Sequence, residues 1–219
     1  DGSIVLMGGE GGGTAKNDVR RSTDTGVTWT QQTASAGWSA RSAHSSVAMP
    51  DGSIVLMGGN DGNNKNDVWL STDNGVTWTQ QTASTGWSAR ASHSSVAMPD
   101  GSIVLLGGVD NYGYTNDVWR STDTGVTWTL QTANAGWSGR YGHSIVAIPD
   151  GSIVLMGGND GSGYFKNDVW RSTDNGVTWI QITPGAGWSA RYMHSSVVMP
   201  DGSILLMGGF DGYSVLHND

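Results

Sequence analysis

The sequence contains no cysteine and a single glutamate, and these absences remove several classes of function. Without cysteine the chain can form neither disulfide bonds nor thiolate metal sites, although its compartment stays open, since some microbial surface proteins also lack cysteine. Glycoside hydrolysis normally uses two carboxylates of different pKa, and Glu10 stands by itself in a glycine-rich stretch. The 11 Lys and Arg residues are spread along a chain of formal net charge −8, so we expect no nucleic-acid partner.

Long apolar runs are missing as well. The longest, such as residues 4–7, are only four or five residues, which predicts no membrane insertion. No signal-like segment precedes them, and the chain begins at Asp1 rather than Met. We therefore expect either a processed chain or part of a longer one.

Glycine and tryptophan are abundant, with 34 and 11 residues, and they recur at regular intervals. The string Asp-Gly-Ser-Ile-(Val/Leu)-Leu-(Met/Leu)-Gly-Gly begins at positions 1, 51, 100, 150 and 201. This spacing predicts one array over residues 1–219. Its repeats are 1–50, 51–99, 100–149, 150–200 and a partial 201–219.

Each repeat contains four short segments with the period-two pattern of β-strands. In the second repeat they run roughly over 44–49, 53–57, 67–72 and 76–82. Pro50-Asp51-Gly52 predicts a turn after the first segment, and Asn74-Gly75 predicts a type I′ turn before the fourth. The second segment is apolar on both faces, so we expect both faces to be buried.

Four antiparallel strands in repeats of this length predict an all-β fold, a β-propeller of four-stranded antiparallel blades with four to five blades in this chain. The sequence begins at a second strand and ends early in a third, so the number of blades is not whole. The first strand of the last repeat, around 192–199, could complete the first blade and close a four-bladed ring. Otherwise the array continues further, or another chain supplies strands to the open edges.

The residues of the repeat resemble the kelch family over essentially the whole chain. The resemblance rests on a Gly pair after the apolar strand, Asn-Asp-Val-Trp after a variable loop, and a later Arg-x-x-His. Each repeat also resembles the Asp-box of sialidase-type propellers, Ser-x-Asp-x-Gly-x-Thr-Trp, which in those proteins is a structural hairpin far from catalysis. The copper chemistry of galactose-oxidase-like kelch proteins needs a Cys crosslinked to Tyr and is excluded here.

The aspartates and tryptophans of the box are predicted to be structural. Large aromatic side chains dominate interfaces between blades, so we expect the tryptophans to pack there rather than to form ligand platforms. Arg20 takes the place of a twelfth tryptophan, which predicts looser packing in the first repeat. The predicted structural residues are Asp24, Asp73, Asp123, Asp174, Trp29, Trp78, Trp128 and Trp179.

The recurring aspartates most simply cap turns by accepting hydrogen bonds from backbone N–H groups. Loops such as 60–64 hold oxygen ligands suited to Ca²⁺, but they lack the spacing and the bidentate Glu of an EF-hand. We therefore predict no cofactor, with calcium as the alternative.

An Arg and a His, three residues apart, recur in every repeat. Equivalent groups around a ring favour structural hydrogen bonding over catalysis, but the kelch resemblance implies a ligand-facing alternative for the arginines. The repeats differ most in the loop after the Gly pair and just after the Arg, where tyrosines collect. Exposed tyrosine on a rigid scaffold is a recognition chemistry, although loops that drift after duplication would look similar. The candidate ligand-binding residues are Arg41, Arg90, Arg140, Arg191, Tyr112, Tyr114, Tyr141, Tyr164, Tyr192 and Tyr213.

These observations predict a non-enzymatic recognition or adhesion module that is extracellular or on a cell surface. It would bind a glycan or protein ligand through the loop face of a propeller. Two alternatives stay open. One is a structural spacer or self-assembling surface or filament subunit that associates through unpaired blade edges, and the other is a sialidase-like enzyme active on glycosides.

Overall fold

A computed structural model describes residues 2–211, and the regular structure in that range consists of β-strands. No helix that could cross a membrane occurs in this range. The strands are β1 (Ile4–Met7), β2 (Glu10–Gly11), β3 (Thr14–Ala15), β4 (Val19–Ser22), β5 (Thr30–Thr33), β6 (Ser45–Ala48), β7 (Ile54–Asn60), β8 (Asn64–Ser71), β9 (Thr79–Thr82), β10 (Ser94–Ala97), β11 (Ile103–Leu106), β12 (Val109–Asp110), β13 (Gly113–Tyr114), β14 (Val118–Ser121), β15 (Thr129–Thr132), β16 (Ser144–Ala147), β17 (Ile153–Asn159), β18 (Phe165–Ser172), β19 (Ile180–Thr183), β20 (Ser195–Val198) and β21 (Ile204–Met207).

Residues 2–211 form seven antiparallel sheets, of which two are the short loop hairpins β2-β3 and β12-β13. The other five follow one another along the chain, and we number them as blades 1 to 5. Blades 2, 3 and 4 have four strands each, in the orders β6-β7-β8-β9, β10-β11-β14-β15 and β16-β17-β18-β19. Blade 1 has three strands, β1-β4-β5, and blade 5 has two, β20-β21. The predicted all-β architecture of four-stranded antiparallel blades is confirmed.

The first strands of blades 2 to 5 lie side by side, because β6, β10, β16 and β20 contact one another in sequence. Ser95 Oγ lies 2.8 Å from Ser45 Oγ, and Ser94 Oγ donates a hydrogen bond to the carbonyl oxygen of His143 at 2.9 Å. Since neighbouring strands alternate in direction, the Pro-Asp-Gly turns and the box hairpins lie on one side, which we call the turn face. The loops between second and third strands lie on the opposite side, which we call the loop face.

The four-bladed closure considered from the sequence does not occur in the described residues. β20 pairs with β21, from Ser195 opposite Met207 to Val198 opposite Ile204. β1 pairs with β4. Residues 201–207 are thus not surplus to a closed ring, because they supply the second strand of a fifth blade.

The core is a series of apolar interfaces between neighbouring blades. Between blades 2 and 3, Val55 and Met57 pack with Ile103 and Leu105. The same contact recurs between blades 3 and 4. Each second strand in the middle blades therefore has neighbours on both faces, and β7, β11 and β17 are buried along their apolar stretches, as predicted.

A pair of tryptophans lies in each of the three interfaces between blades 1 and 4. A fully buried Trp that follows one blade meets the box Trp of the next blade edge-on, with ring centroids 5.9–6.0 Å apart. The three pairs are Trp38 with Trp78, Trp87 with Trp128, and Trp137 with Trp179. In blade 1, Arg20 replaces the third-strand Trp, and it donates to Asp18 at 3.1 Å and stays largely exposed.

The predicted boundaries were wrong where the box hairpin begins the fourth strand. Asn74 and Gly75 have φ values of +60° and +87°, as a type I′ turn requires. The Asp73 carboxylate accepts bonds from the backbone N–H of Thr77 at 2.9 Å and from its hydroxyl at 2.6 Å. These bonds keep residues 76–78 in the turn, so β9 begins at Thr79. β8 begins at residue 64, earlier than expected, because the Gly pair continues the β7–β8 ladder.

Candidate functional site

The repeated arginines lie at the junctions between blades. The backbone of Arg90 bonds to blade 2, because its N–H donates to Lys65 and its carbonyl oxygen accepts from Gly59, both at 2.9 Å. Its side chain bonds to blade 3, where Nη1 and Nη2 donate to the Asp117 carboxylate at 2.6 and 2.8 Å. Nη1 also donates to the carbonyl oxygen of Gly107 at 3.0 Å. The guanidinium therefore joins two blades through charge-assisted, bidentate hydrogen bonds.

Equivalent arginines make the same connection elsewhere. Arg41 bonds the Asp67 carboxylate at 2.6 and 2.9 Å, and Arg140 bonds that of Asp168 at the same distances. Burial raises the pKa of Asp67, but hydrogen bonds from Arg41 and Trp69 outweigh it and hold that pKa below its ordinary value. Because their side chains are only 1–2% exposed, the ligand-facing expectation is wrong for Arg41, Arg90, Arg140 and Arg191.

The repeated histidines are buried against the Gly pairs. A Cβ on Gly58 would lie 2.9 Å from Cε1 of His93, and a Cβ on Gly108 would lie 2.8 Å from its Cβ. Only glycine leaves space for the ring on both sides. Burial, followed by the charge of Arg90, lowers the pKa of His93 to about 3. The imidazole is therefore neutral at pH 7 and serves as packing.

A cluster of aromatic rings on the loop face brings blades 3, 4 and 5 together. Tyr114 stacks on Tyr141 with centroids 5.3 Å apart and planes at 18°. Tyr141 meets Tyr192 edge-on at 5.7 Å, and Tyr192 contacts Phe165 at 4.7 Å and Phe210 at 5.8 Å. We call these five residues the aromatic patch.

Strand-like backbone pairing holds the patch in position. The N–H of Tyr141 donates to Asn159 at 3.0 Å, and the N–H of Asn159 donates back at 3.0 Å. Tyr192 and Phe210 exchange the same two bonds at 3.1 and 3.0 Å. Burial, with the neighbouring tyrosines, raises the pKa of the Tyr141 hydroxyl, which therefore stays protonated at neutral pH. The rings are thus presented by rigid strand ends rather than by free loop tips.

Two exposed tyrosines flank the patch. Tyr112 is 95% exposed and Tyr164 is 78% exposed. Tyr164 also borders a cleft of about 490 Å³ whose walls include Phe165, Phe210 and Asp211. This side of the loop face therefore combines fixed rings, exposed rings and a concave opening.

The loops of blades 1 and 2 differ from this arrangement. Residues 10–16 and 60–65 contain no aromatic side chain. In the second of these loops, Lys65 Nζ pairs with Asp61 at 2.9 Å, and the amide of Asn60 bonds Asn64 at 2.9 Å. The aromatic side chains that distinguish the loops from one another are thus concentrated at the end of the loop face formed by blades 3 to 5.

The model of one protein family matches residues 1–209 of the chain, and its description is "KLHDC2/KLHL20/DRC7 Kelch-repeats domain". The chain belongs to the kelch-repeat family. Among solved structures, the kelch chain is similar to one titled "Structure of YjhT", with a TM-score of 0.80 and 16% sequence identity. The match covers 100% of this chain and 77% of the other, and at this identity it shows the fold. No curated protein matches the sequence.

The kelch structure brings together three of the predicted tyrosines, Tyr114, Tyr141 and Tyr192, and places Tyr112 and Tyr164 beside them. Tyr213, with the rest of the last loop to His217, lies outside the described residues. Sequence reasoning did not name Phe210 as a site residue. Phe210 stands directly after a Gly pair, where other repeats have Asn60, Val109 or Asn159. This difference between repeats is visible in the sequence and could have indicated Phe210.

No group of three or more His, Asp or Glu side chains that could hold a metal ion occurs within residues 2–211. In the 60–64 loop, where calcium was the alternative, the oxygens are used locally. Asn60 Oδ1 accepts from the backbone of Gly62 at 2.9 Å, and Asp61 pairs with Lys65. These oxygens therefore bond the loop itself rather than converge on one point.

Proposed function

We propose that this kelch chain is a non-enzymatic recognition module that binds a protein partner through the aromatic patch. Kelch-repeat propellers typically mediate protein binding. The observation that carries the proposal for this chain is the run of contacting rings on blades 3 to 5, beside two tyrosines that point into solvent. Rigid aromatic side chains provide large contact areas at a low entropic cost.

The near-identity of the repeats supports this location. The box, the Gly pair and the junction arginine recur because every blade needs them for packing. The patch does not recur, so repeat packing does not account for it. A ligand site needs unlike groups at one place, and the loop face of blades 3 to 5 is where the chain provides them.

The test compares the wild-type chain with a Tyr112→Ala/Tyr164→Ala variant on protein and glycan arrays. We expect protein ligands whose binding falls at least about tenfold in the variant, since two exposed aromatic contacts are lost. Ile180→Ala, at an exposed residue on the outer strand β19, is the matched control and should bind like wild type. Protein ligands that the variant retains would contradict the proposal, and loss of glycan ligands alone would replace it with sugar binding.

A second candidate function is self-assembly, favoured by exposed apolar side chains on the outward faces of blade 1 and blade 5. Ile4 and Leu6 of blade 1 and Leu205 and Met207 of blade 5 are 39–50% exposed. In the middle blades the equivalent side chains pack against each other, so the two ends are complementary. We propose head-to-tail association of copies through these faces. Light scattering on a sizing column should show mass rising with concentration, and a Leu6→Asp/Leu205→Asp variant should stay monomeric.

We propose that the hairpins are Asp-boxes with a structural role, which the bonds of Asp73 to Thr77 support. We also propose an extracellular or cell-surface location, to be tested by fractionation of the source cells. Turnover on a panel of glycosides would contradict the non-enzymatic assignment.

A further inference from the structure

We propose that the partner segment at the aromatic patch is basic, an extended stretch of another protein whose Arg or Lys side chains contact the rings. This inference rests on the proposed function and specifies the partner's chemistry. The orientation of the rings and the negative charge beside them both favour a basic segment.

The rings are arranged so that a cation could reach their faces. Phe165 and Phe210 have centroids 6.0 Å apart and planes at 60°, and both line the cleft with Tyr164. A Lys or Arg charge within about 6 Å of a ring centroid is attracted by the ring's negative face. A flat guanidinium can lie over such a ring while its N–H groups bond acceptors at the rim.

Negatively charged carboxylates, which could accept hydrogen bonds from a cation, lie beside the rings. In residues 109–115 and 159–166, the loop face carries the carboxylates of Asp110 and Asp160 and one ammonium group, Lys166. Two negative charges and one positive leave a net charge of −1 in these two loops. The Lys166 ammonium is bound to Asp160 at 2.8 Å. The cation on this surface is therefore already paired, and the surplus is negative.

Asp110 is placed to receive a cation from outside. Its carboxylate accepts from the Ser88 hydroxyl at 2.8 Å and from the backbone N–H groups of Tyr112 and Gly113 at 2.8 and 3.0 Å. All three donors are neutral, so none of these contacts neutralises the carboxylate beside the most exposed tyrosine. A positive side chain would gain both the ring and the carboxylate, whereas an acidic segment would be repelled.

The other end of the loop face serves as an internal control. Its loops lack aromatic rings, and Asp61 is neutralised by Lys65 in an ion pair. Within residues 2–211, ring faces thus lie beside a carboxylate bonded by neutral donors, that of Asp110, at blades 3 to 5.

The experiment uses fluorescence anisotropy of a labelled peptide, Gly-Ser-Arg-Gly-Arg-Ser-Arg-Gly-Ser, with the 219-residue chain. A second peptide has Gln in place of each Arg. We expect the Arg peptide to bind about tenfold more tightly at low salt, and to weaken as NaCl rises, because exposed charges are screened. Tyr164→Ala and Asp110→Asn should each weaken binding about fivefold.

The matched control is Asp201→Asn, which removes the same charge from a Pro-Asp-Gly turn on the turn face and should leave affinity unchanged. Equal binding of the Arg and Gln peptides would overturn the inference. So would an Asp201→Asn effect as large as that of Asp110→Asn, since the attraction would then come from the net charge of the whole chain. If array ligands depend on Tyr112 and Tyr164 but not on Asp110 or salt, the proposed function stands and the basic partner is wrong.

Discussion

Residues 1–9 and 51–59 have the same sequence, Asp-Gly-Ser-Ile-Val-Leu-Met-Gly-Gly, yet their apolar side chains have different environments. Ile54 is 6% exposed and Leu56 is fully buried, whereas Ile4 is 45% exposed and Leu6 is 50% exposed. Both segments form the second strand of a blade, β7 and β1. The difference is the neighbour, because β7 lies between two blades and β1 has a blade on one face.

The comparison shows that burial in this protein belongs to the interface and not to the repeat. Val5 and Met7, on the other face of β1, pack in the cluster that contains Leu56 and Trp38. One face of blade 1 is thus part of the core while the opposite face is exposed. Each repeat supplies half of two interfaces, and stability depends on the pairs of neighbours.

The largest expected contrast concerns arginine. Arg90→Ala leaves the partly buried Asp117 carboxylate without its partner between blades 2 and 3, and we expect a loss of about 3–5 kcal/mol in the free energy of unfolding. Arg20→Ala, in blade 1, removes a surface ion pair and should cost less than about 1 kcal/mol. Urea titrations followed by tryptophan fluorescence measure both. Similar losses would show that the junction arginine does not hold the blades together.

The second contrast uses the identical strands directly. Leu56→Ala opens a cavity between blades and should destabilise the protein by about 2–5 kcal/mol, while Leu6→Ala removes a half-exposed side chain and should cost under about 1 kcal/mol. The same urea titration applies. Equal costs that depend on protein concentration would indicate that a second copy covers Leu6, in agreement with the self-assembly candidate.

The third contrast is a pH dependence. Burial lowers the pKa of His93 and His143 to about 3, and that of His44 and His194 to about 4. The unfolded chain, with histidine near its ordinary value of 6.5, therefore binds protons more readily than the folded chain. Stability should be fully present above about pH 6.5 and should fall as the pH drops towards 4, by up to about 1.4 kcal/mol per pH unit for each buried histidine.

Urea midpoints at pH 7.5, 6 and 5 test this dependence, and His93→Gln should reduce the slope. His93 and His143 should contribute to the fall in stability down to a lower pH than His44 and His194 do, because their pKa values in the folded chain are lower. A midpoint that stays constant from pH 7.5 to 5 would contradict the buried, neutral state.

The smallest contrast concerns the box tryptophans. Trp78 meets Trp38 edge-on at 6.0 Å, so Trp78→Phe should cost about 0.5–1.5 kcal/mol. Trp29, at the same position in blade 1, is 38% exposed, and Trp29→Phe should have a smaller effect. Differential scanning calorimetry compares the two variants. An equal fall in the melting temperature would show that the edge-on contact adds nothing beyond the burial of each ring.

The sequence by itself determined the repeat, the strands and the turns, because these depend on local chemistry. Gly75 accepts the positive φ of the box turn, and the unbroken apolar run from Ile54 to Met57 fits a strand with two buried faces. The loop tyrosines could also be predicted from the sequence, because the equivalent positions of the other repeats have different residues.

Only the tertiary structure decided which of those residues are accessible and which lie together. Arg90 was a plausible ligand contact until its guanidinium was found between blades, bonded to Asp117, which is 27 residues away in the chain. The patch likewise joins Tyr114 to Phe210 through rings from three blades. Such contacts depend on how blades stack, and identical repeats carry no local signal that says which faces will have a neighbour.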